Sequence, residues 1–295
     1  ARAGVVGAPA AGEAGGWVLR GPGEAPAAGA PPPRLRLVCV PQAGMGAWAF
    51  HGWQGAMPEG VEVLPVELPG RNTRVKERAL PRMAAVVGGL VDALAPLLGD
   101  RACPVALLGH SMGAWVAFEV AQEMRRRGMP APVRLYASAN RAPHLSAKVH
   151  DNDQVCLAEL PYHAFWQQFT RRYGANKDLE SEGVRRYLFD MLRSDFAVVE
   201  TYRPSTERPL EDVPLVAMGA TEDTRYSREQ LAAWARASSG TFRQEWFPGP
   251  HRYIVDAPAA HAPRAFVARD LAGLLAPSAP PPPQNPRRSP PPPPP

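Results

Sequence analysis

Gly109-His110-Ser111-Met112-Gly113 is the segment of this chain best suited to covalent chemistry. It follows a short apolar run, PVALL, and precedes AWVAFEVAQEMRRRG, whose apolar spacing is helical. A G-x-S-x-G at a strand-to-helix junction makes a turn so sharp that small residues are needed on both sides, and it holds the serine hydroxyl exposed at the helix N-terminus. The hydroxyl is a weak nucleophile at neutral pH. It needs a general base, and the base needs an acid that fixes its tautomer and stabilises the imidazolium. The chain order for this arrangement is Ser, acid, His. Of the seven histidines, only His251 and His261 lie beyond the last central strand-like runs. His251 follows Pro248-Gly249-Pro250, where a loop would present it, whereas His261 falls at a helix start, so His251 is the expected base. Glu222 and Asp223 follow the strand-like PLVAMG. Asp223 is the expected acid and Glu222 the alternative, the remaining one serving as a cap for the helix after Ser227.

Acyl transfer also needs an oxyanion hole, since removing one donor costs about 2.7–4 kcal/mol of transition-state stabilisation. One donor should be the backbone N–H of Met112. The second should come from Pro41-Gln42-Ala43-Gly44-Met45-Gly46, where glycines let the backbone turn in close, with Ala43 or Gln42 supplying it. No histidine pair has metal-ligand spacing, and GMGAWA lacks the third glycine of a dinucleotide fingerprint. Cys39, Cys103 and Cys156 are odd in number and form no C-x-x-C, so neither a disulfide framework nor a metal or redox cofactor is expected, and a reducing compartment, cytoplasm or plastid, fits.

The elements that must position these residues can be read from the apolar pattern. Runs at 35–40, 61–68, 105–108, 133–137, 215–218 and 242–247 look like strands, several apolar on both faces as a covered parallel sheet requires. Helical spacing at 83–98, 114–127, 228–237 and 261–275 lies between and after them. That alternation predicts an α/β sheet with right-handed crossovers. From about 144 to 200 the pattern turns helical without a clear strand, which reads as an insertion over one end of the sheet.

Half of the 36 prolines fall within residues 1–33 and 277–295, which leaves 34–276 as the folded domain. Residues 1–33 are Ala, Gly and Pro with few large apolar groups, and disorder is expected there. The tail 277–295 should be extended polyproline, either a spacer without a partner or a ligand for a Pro-binding module. No run of eighteen apolar residues occurs, so no spanning helix is expected. The 33 basic against 28 acidic residues give a net charge of +5, too small an excess to argue for nucleic acid without a motif.

Taken together, the motifs resemble the type II thioesterases, α/β-hydrolases that act beside polyketide, nonribosomal-peptide and fatty-acid synthases. PQAGMGAWAFHGW resembles the family's oxyanion loop, VEVLPVELPGR its second strand and Pro-Gly-Arg turn, and LLGHSMGAWVAFEVA its elbow. SANRAPH and LRSDFAVVETYRP resemble the segments that open and close its lid, and MGATEDT and FPGPH its acid and histidine loops. The resemblance implies an α/β-hydrolase fold with a helical lid at about 144–200 shaping an acyl pocket, and a Ser111, Asp223, His251 triad. It implies hydrolysis of acyl thioesters on phosphopantetheine, with an acyl or peptidyl carrier protein as partner and no cofactor beyond the arm on the substrate; a monomer is expected.

Three positions depart from the family pattern. Gln42 stands where an aromatic residue or His is usual, Glu222 where a second Asp is common, and Pro250 where a second Gly precedes the histidine. Proline fixes φ near −65°, so a need for positive φ there would misplace His251. The alternatives are a carboxylesterase or acyltransferase of the same fold, or a catalytically weakened carrier-binding protein. Docking for an acidic carrier would fall on Arg125, Arg126 and Arg127 or on Arg71, Arg74, Lys76 and Arg78. The simpler reading of the arginine triplet is that it complements a helix dipole.

Overall fold

In a computed structural model, described for residues 14–25, 29–206, 208–256 and 258–276, the expected alternation forms one sheet. Its strands are β1 (Leu35–Val40), β2 (Val61–Pro65), β3 (Val105–His110), β4 (Arg134–Ser138), β5 (Leu215–Ala220) and β6 (Phe242–Phe247). Every pairing is parallel, in the order β2-β1-β3-β4-β5-β6. β1, β3 and β5 are buried at every position, which is why they read as unbroken apolar runs rather than alternating ones.

Helices cover both faces. α1 (Met83–Leu98) and α2 (Met112–Arg126) pack on one face through Val86, Leu90, Leu94, Trp115 and Val120. α6 (His261–Leu275) covers the other through Val267 and Leu271, beside Phe50, Trp53 and Tyr253. The winding direction reverses between β1 and β3. In open parallel sheets the crevice at the carboxyl ends of such a pair is where ligands bind. Here the strands there lead into residues 41–46 and into Ser111.

α3 (Tyr162–Tyr173) and α4 (Glu182–Glu200) form the helical insertion, and no strand occurs among the described residues from 144 to 200. The insertion has its own core of Leu157, Phe165, Trp166, Met191, Leu192 and Phe196. The segment expected as one helix at 228–237 is a short helix, α5 (Arg228–Ala232), continued by a 3-10 turn, Ala233–Ala237.

Disorder throughout residues 1–33 is corrected at residues 17–19. Trp17 and Val18 are buried in the core, and Val18 bridges Val66 in antiparallel sense. The Leu19 N–H donates to the Pro65 carbonyl and the Glu67 N–H to the Trp17 carbonyl, both within 3.1 Å. β2 is an outermost strand of the sheet, and this stretch covers its open edge. Residues 1–13, 26–28 and the polyproline tail 277–295 lie outside the described residues. Among those described, no helix is long and apolar enough to cross a membrane.

Candidate active site

Ser111 joins β3 to α2 with φ 52° and ψ −118°, a backbone conformation that a side chain rarely adopts. The turn can close this tightly because the residues two positions to either side, Gly109 and Gly113, carry no side chain. A Cβ on Gly109 would fall 1.9 Å from the Gly113 carbonyl oxygen, and one on Gly113 would fall 2.2 Å from that of Val40. Two hydrogen bonds fix the turn. The Ser111 N–H donates to the Ser138 carbonyl (2.8 Å), and Asn140 Nδ2 donates to the Ser111 carbonyl (2.8 Å). Asn140 lies in the SANRAPH stretch, but its sequence context gave no signal for this contact.

The structure brings the three expected residues together. His251 Nε2 lies 3.0 Å from Ser111 Oγ, and His251 Nδ1 lies 2.8 Å from Asp223 Oδ2. The other Asp223 oxygen accepts the Arg225 N–H at 2.8 Å, which orients the carboxylate. Glu222 is exposed and contributes through its backbone, its N–H donating to the Gly249 carbonyl (3.0 Å) and so tying the acid loop to the histidine loop. Neither acid caps α5. Ser227 does so itself, in a reciprocal capping box with Gln230. Pro250 does not disturb His251, because the left-handed residue of the turn is Gly249, at φ 112°.

Beneath His251 lies a second imidazole that the residue pattern did not single out. His110 is fully buried, its ring centroid 5.4 Å from that of His251, with Nδ1 2.8 Å from Ser138 Oγ, itself 2.6 Å from Tyr253 Oη. Burial, and then the neighbouring His251, hold its pKa well below the ordinary histidine value of 6.5. It therefore remains neutral and does not oppose a positive charge forming on His251. Tyr226, 5.8 Å from His251 between ring centroids, is pushed up to about 12 by burial and remains a neutral phenol.

A stability effect follows from His110. Below about 6.5 the unfolded chain protonates this imidazole while the native state does not. Stability is thus complete above that pH and falls as pH drops toward the lower native value. Urea unfolding between pH 7 and pH 5 should show this loss, with a smaller pH slope in His110→Gln; an equal slope would remove His110 as its source.

The loop after β1 is held from beneath and from the lid. Gly44 adopts φ 80°, and a Cβ there would fall 2.7 Å from Leu192 Cδ2. Its N–H donates to Asp195 Oδ2 of α4 (2.8 Å), which leaves Ala43 and Gln42 as the loop's candidate donors. Asp195 and Arg71 form a bidentate pair at 2.7 and 2.8 Å, with side chains only 3% and 4% exposed, and Arg71 Nη1 also donates to the Met45 carbonyl (2.8 Å). Glu67, wholly buried, accepts the Ala47 N–H (2.6 Å) and Asn72 Nδ2 (2.7 Å). On the facing side, the Met112 N–H belongs to the first turn of α2, where amides have no acceptor within the helix.

Ser111, His251, Gln42, Ala43 and Gly44 share the wall of a cavity of about 630 Å³. Its apolar part is roofed by lid residues, among them Phe169, Met191, Leu192 and Phe196. Of the two expected docking clusters, Lys76 and Arg78 stand exposed, while the other arginines are engaged within the protein. Arg71 and Arg74 point inward, Arg74 to Glu77 and over the Trp17 ring. Arg126 and Arg127 pair with Glu123, Arg127 also with Asp92, and Arg125 donates to the Pro209 carbonyl.

Comparison with known proteins gives the same picture. The family model for the thioesterase domain matches residues 35–265. Gramicidin S biosynthesis protein GrsT of Aneurinibacillus migulanus is 32% identical over 224 residues, 76% of this chain and 84% of the relative. The RedJ thioesterase of the prodiginine pathway in Streptomyces coelicolor superposes with a TM-score of 0.72 at 34% identity, covering 83% of this chain and 95% of its own. The type II thioesterase BorB of the borrelidin cluster also gives 0.72, at 26% identity, over 88% and 98%. A family match that runs from the first residue of β1 into α6, with relatives alike over more than four fifths of their length, makes this chain a member of the thioesterase domain family and an enzyme of the type II thioesterase kind.

Proposed function

We propose that this thioesterase releases acyl chains from the phosphopantetheine of acyl or peptidyl carrier proteins, or of coenzyme A, in fatty-acid, polyketide or nonribosomal-peptide synthesis. Ser111, His251 and Asp223 form its triad. The observation that carries the reading is the pair of contacts at His251, 3.0 Å to the Ser111 hydroxyl and 2.8 Å to the Asp223 carboxylate. His251 Nε2 takes the hydroxyl proton as Ser111 Oγ attacks the thioester carbonyl. Asp223 keeps the other ring proton on Nδ1 and steadies the imidazolium. The Met112 N–H and that of Ala43 or Gln42 receive the oxyanion. Collapse of the intermediate expels the thiol, which takes its proton from His251. Water then attacks the acyl-Ser111 ester, its proton again passing to His251, and collapse of the second intermediate expels Ser111 Oγ, which recovers its proton from His251 as the free acid leaves.

Thiolate is a good leaving group, so the demand falls on oxyanion stabilisation and deacylation. The scheme uses no metal or redox cofactor, since the side chains supply nucleophile and base and the arm arrives on the substrate. Rapid-quench reaction with a butyryl-loaded carrier protein should leave butyrate esterified on the Ser111 peptide, read by mass spectrometry, alongside a burst of free thiol. Thiol release with no acyl group on Ser111 would sink the mechanism.

A further inference from the structure

Two large aromatic side chains stand in water at the mouth of the Ser111 cavity, Trp48 at 55% exposure and Tyr187 at 61%. Trp48 belongs to the 3-10 turn Ala47–Phe50, whose other three members are buried, so the turn is anchored and only its indole faces out. Tyr187 lies on α4, whose Met191 and Leu192 are buried in the lid core. Residues 73–78 follow directly on Gly70, Arg71 and Asn72, which line the same cavity. The Gly70 N–H donates to the Arg74 carbonyl (3.1 Å), and Gly70 is pressed against Ala79. The segment between is closed at its base and projects, with Val75, Lys76 and Arg78 exposed. Lys177 is an exposed part of the lining as well.

The charges at this rim are unbalanced. The acids Glu77 and Asp256 are paired to Arg74 and Arg252, leaving Asp178. Lys76, Arg78 and Lys177 are in no ion pair among the described residues.

We propose that Trp48, Tyr187 and Val75, flanked by Lys76, Arg78 and Lys177, form the docking surface for an acidic carrier protein. The inference rests on the carrier reading above. A thioester tethered to a protein can reach Ser111 only if that protein sits over the cavity's mouth; Trp48, Tyr187 and Lys177 line that cavity, and Val75, Lys76 and Arg78 follow within six residues of its Asn72. Trp and Tyr are enriched among the residues that carry the binding energy of protein interfaces. Unpaired cations around them attract an acidic partner and fix its orientation. This surface keeps Lys76 and Arg78 of the second cluster that the sequence suggested and leaves out Arg71, Arg74 and the arginine triplet.

The test compares one acyl group on two donors, butyryl on an acidic acyl carrier protein and butyryl-pantetheine. Trp48→Ala, Tyr187→Ala and the double charge reversal Lys76→Glu with Arg78→Glu should each lower the carrier-to-pantetheine ratio of kcat/KM about tenfold, mainly through KM. All these positions are exposed, and thermal melts would verify folding. Added salt should erode the carrier rate of the wild type more than that of the charge reversal. Equal losses on both donors would mean that the aromatics grip the arm or the acyl chain, and an unmoved ratio would mean that the carrier docks elsewhere; either overturns the proposal while the carrier reading stands. Wild-type enzyme that turns over neither donor would remove the carrier reading and this surface with it.

Discussion

Asp223→Asn should lower kcat for thioester hydrolysis about ten-thousandfold while leaving the fold intact, a loss of about 5.4 kcal/mol of transition-state stabilisation. The size comes from tautomer control. In the native site Asp223 Oδ1 is occupied by the Arg225 N–H and Oδ2 faces His251 Nδ1, each at 2.8 Å. An asparagine can satisfy only one of these two donors. If its carbonyl keeps the Arg225 N–H, its amide N–H points at His251 Nδ1 and drives the ring proton onto Nε2. That nitrogen faces Ser111 Oγ at 3.0 Å and can no longer accept the hydroxyl proton. If the amide turns over, two donors confront each other at Arg225. Glu222→Gln is the matching control: its carboxylate is exposed and its backbone bond to Gly249 survives, so kcat should stay within about twofold, as for most surface changes. A fall in Glu222→Gln comparable to that in Asp223→Asn would overturn the choice of acid. Both rates can be read by thiol release under saturating substrate.

The parts of this site that were legible in the sequence are those dictated by backbone geometry. Gly109 and Gly113 announce the elbow because no Cβ fits there, and the apolar runs announce β1, β3 and β5 because both faces are covered. Chain order then narrows the acid to Glu222 or Asp223 and the base to His251 or His261, with the loop before His251 favouring it. Pro250 looked hazardous only because φ could not be placed on one residue of the turn, and Gly249 takes the positive value. What stayed hidden depends on side chains that meet across long stretches of chain. Arg71 and Arg74 read as surface cations, since nothing local shows that Arg71 meets Asp195, 124 residues away. Trp17 sits in a run of Ala, Gly and Pro too poor in apolar groups to suggest order. It is ordered by the open edge of β2, which composition cannot reveal. His110 occupies a variable position of the elbow motif, and its setting depends on Ser138 and Tyr253, which come from distant stretches of the chain.

The Asp195–Arg71 clasp carries the second large effect. Asp195→Ala should destabilise the fold by about 3–5 kcal/mol, because it leaves the Arg71 guanidinium buried without its counter-charge. It should also lower kcat, for a separate reason. Asp195 Oδ2 accepts the Gly44 N–H, and Arg71 holds the Met45 carbonyl, so the pair sets the path of the loop that offers Ala43 and Gln42 to the oxyanion. Asp195 acts as a positioning residue through that loop. The two effects separate in the double variant Arg71→Met with Asp195→Leu. Replacing a buried ion pair by apolar side chains often restores stability, whereas the Gly44 N–H still lacks its acceptor. Urea unfolding should therefore recover most of the loss in the double variant, while kcat remains low and KM changes little. Recovery of kcat together with stability would show that Asp195 serves the fold alone, and that residues 42–46 keep their course without the lid.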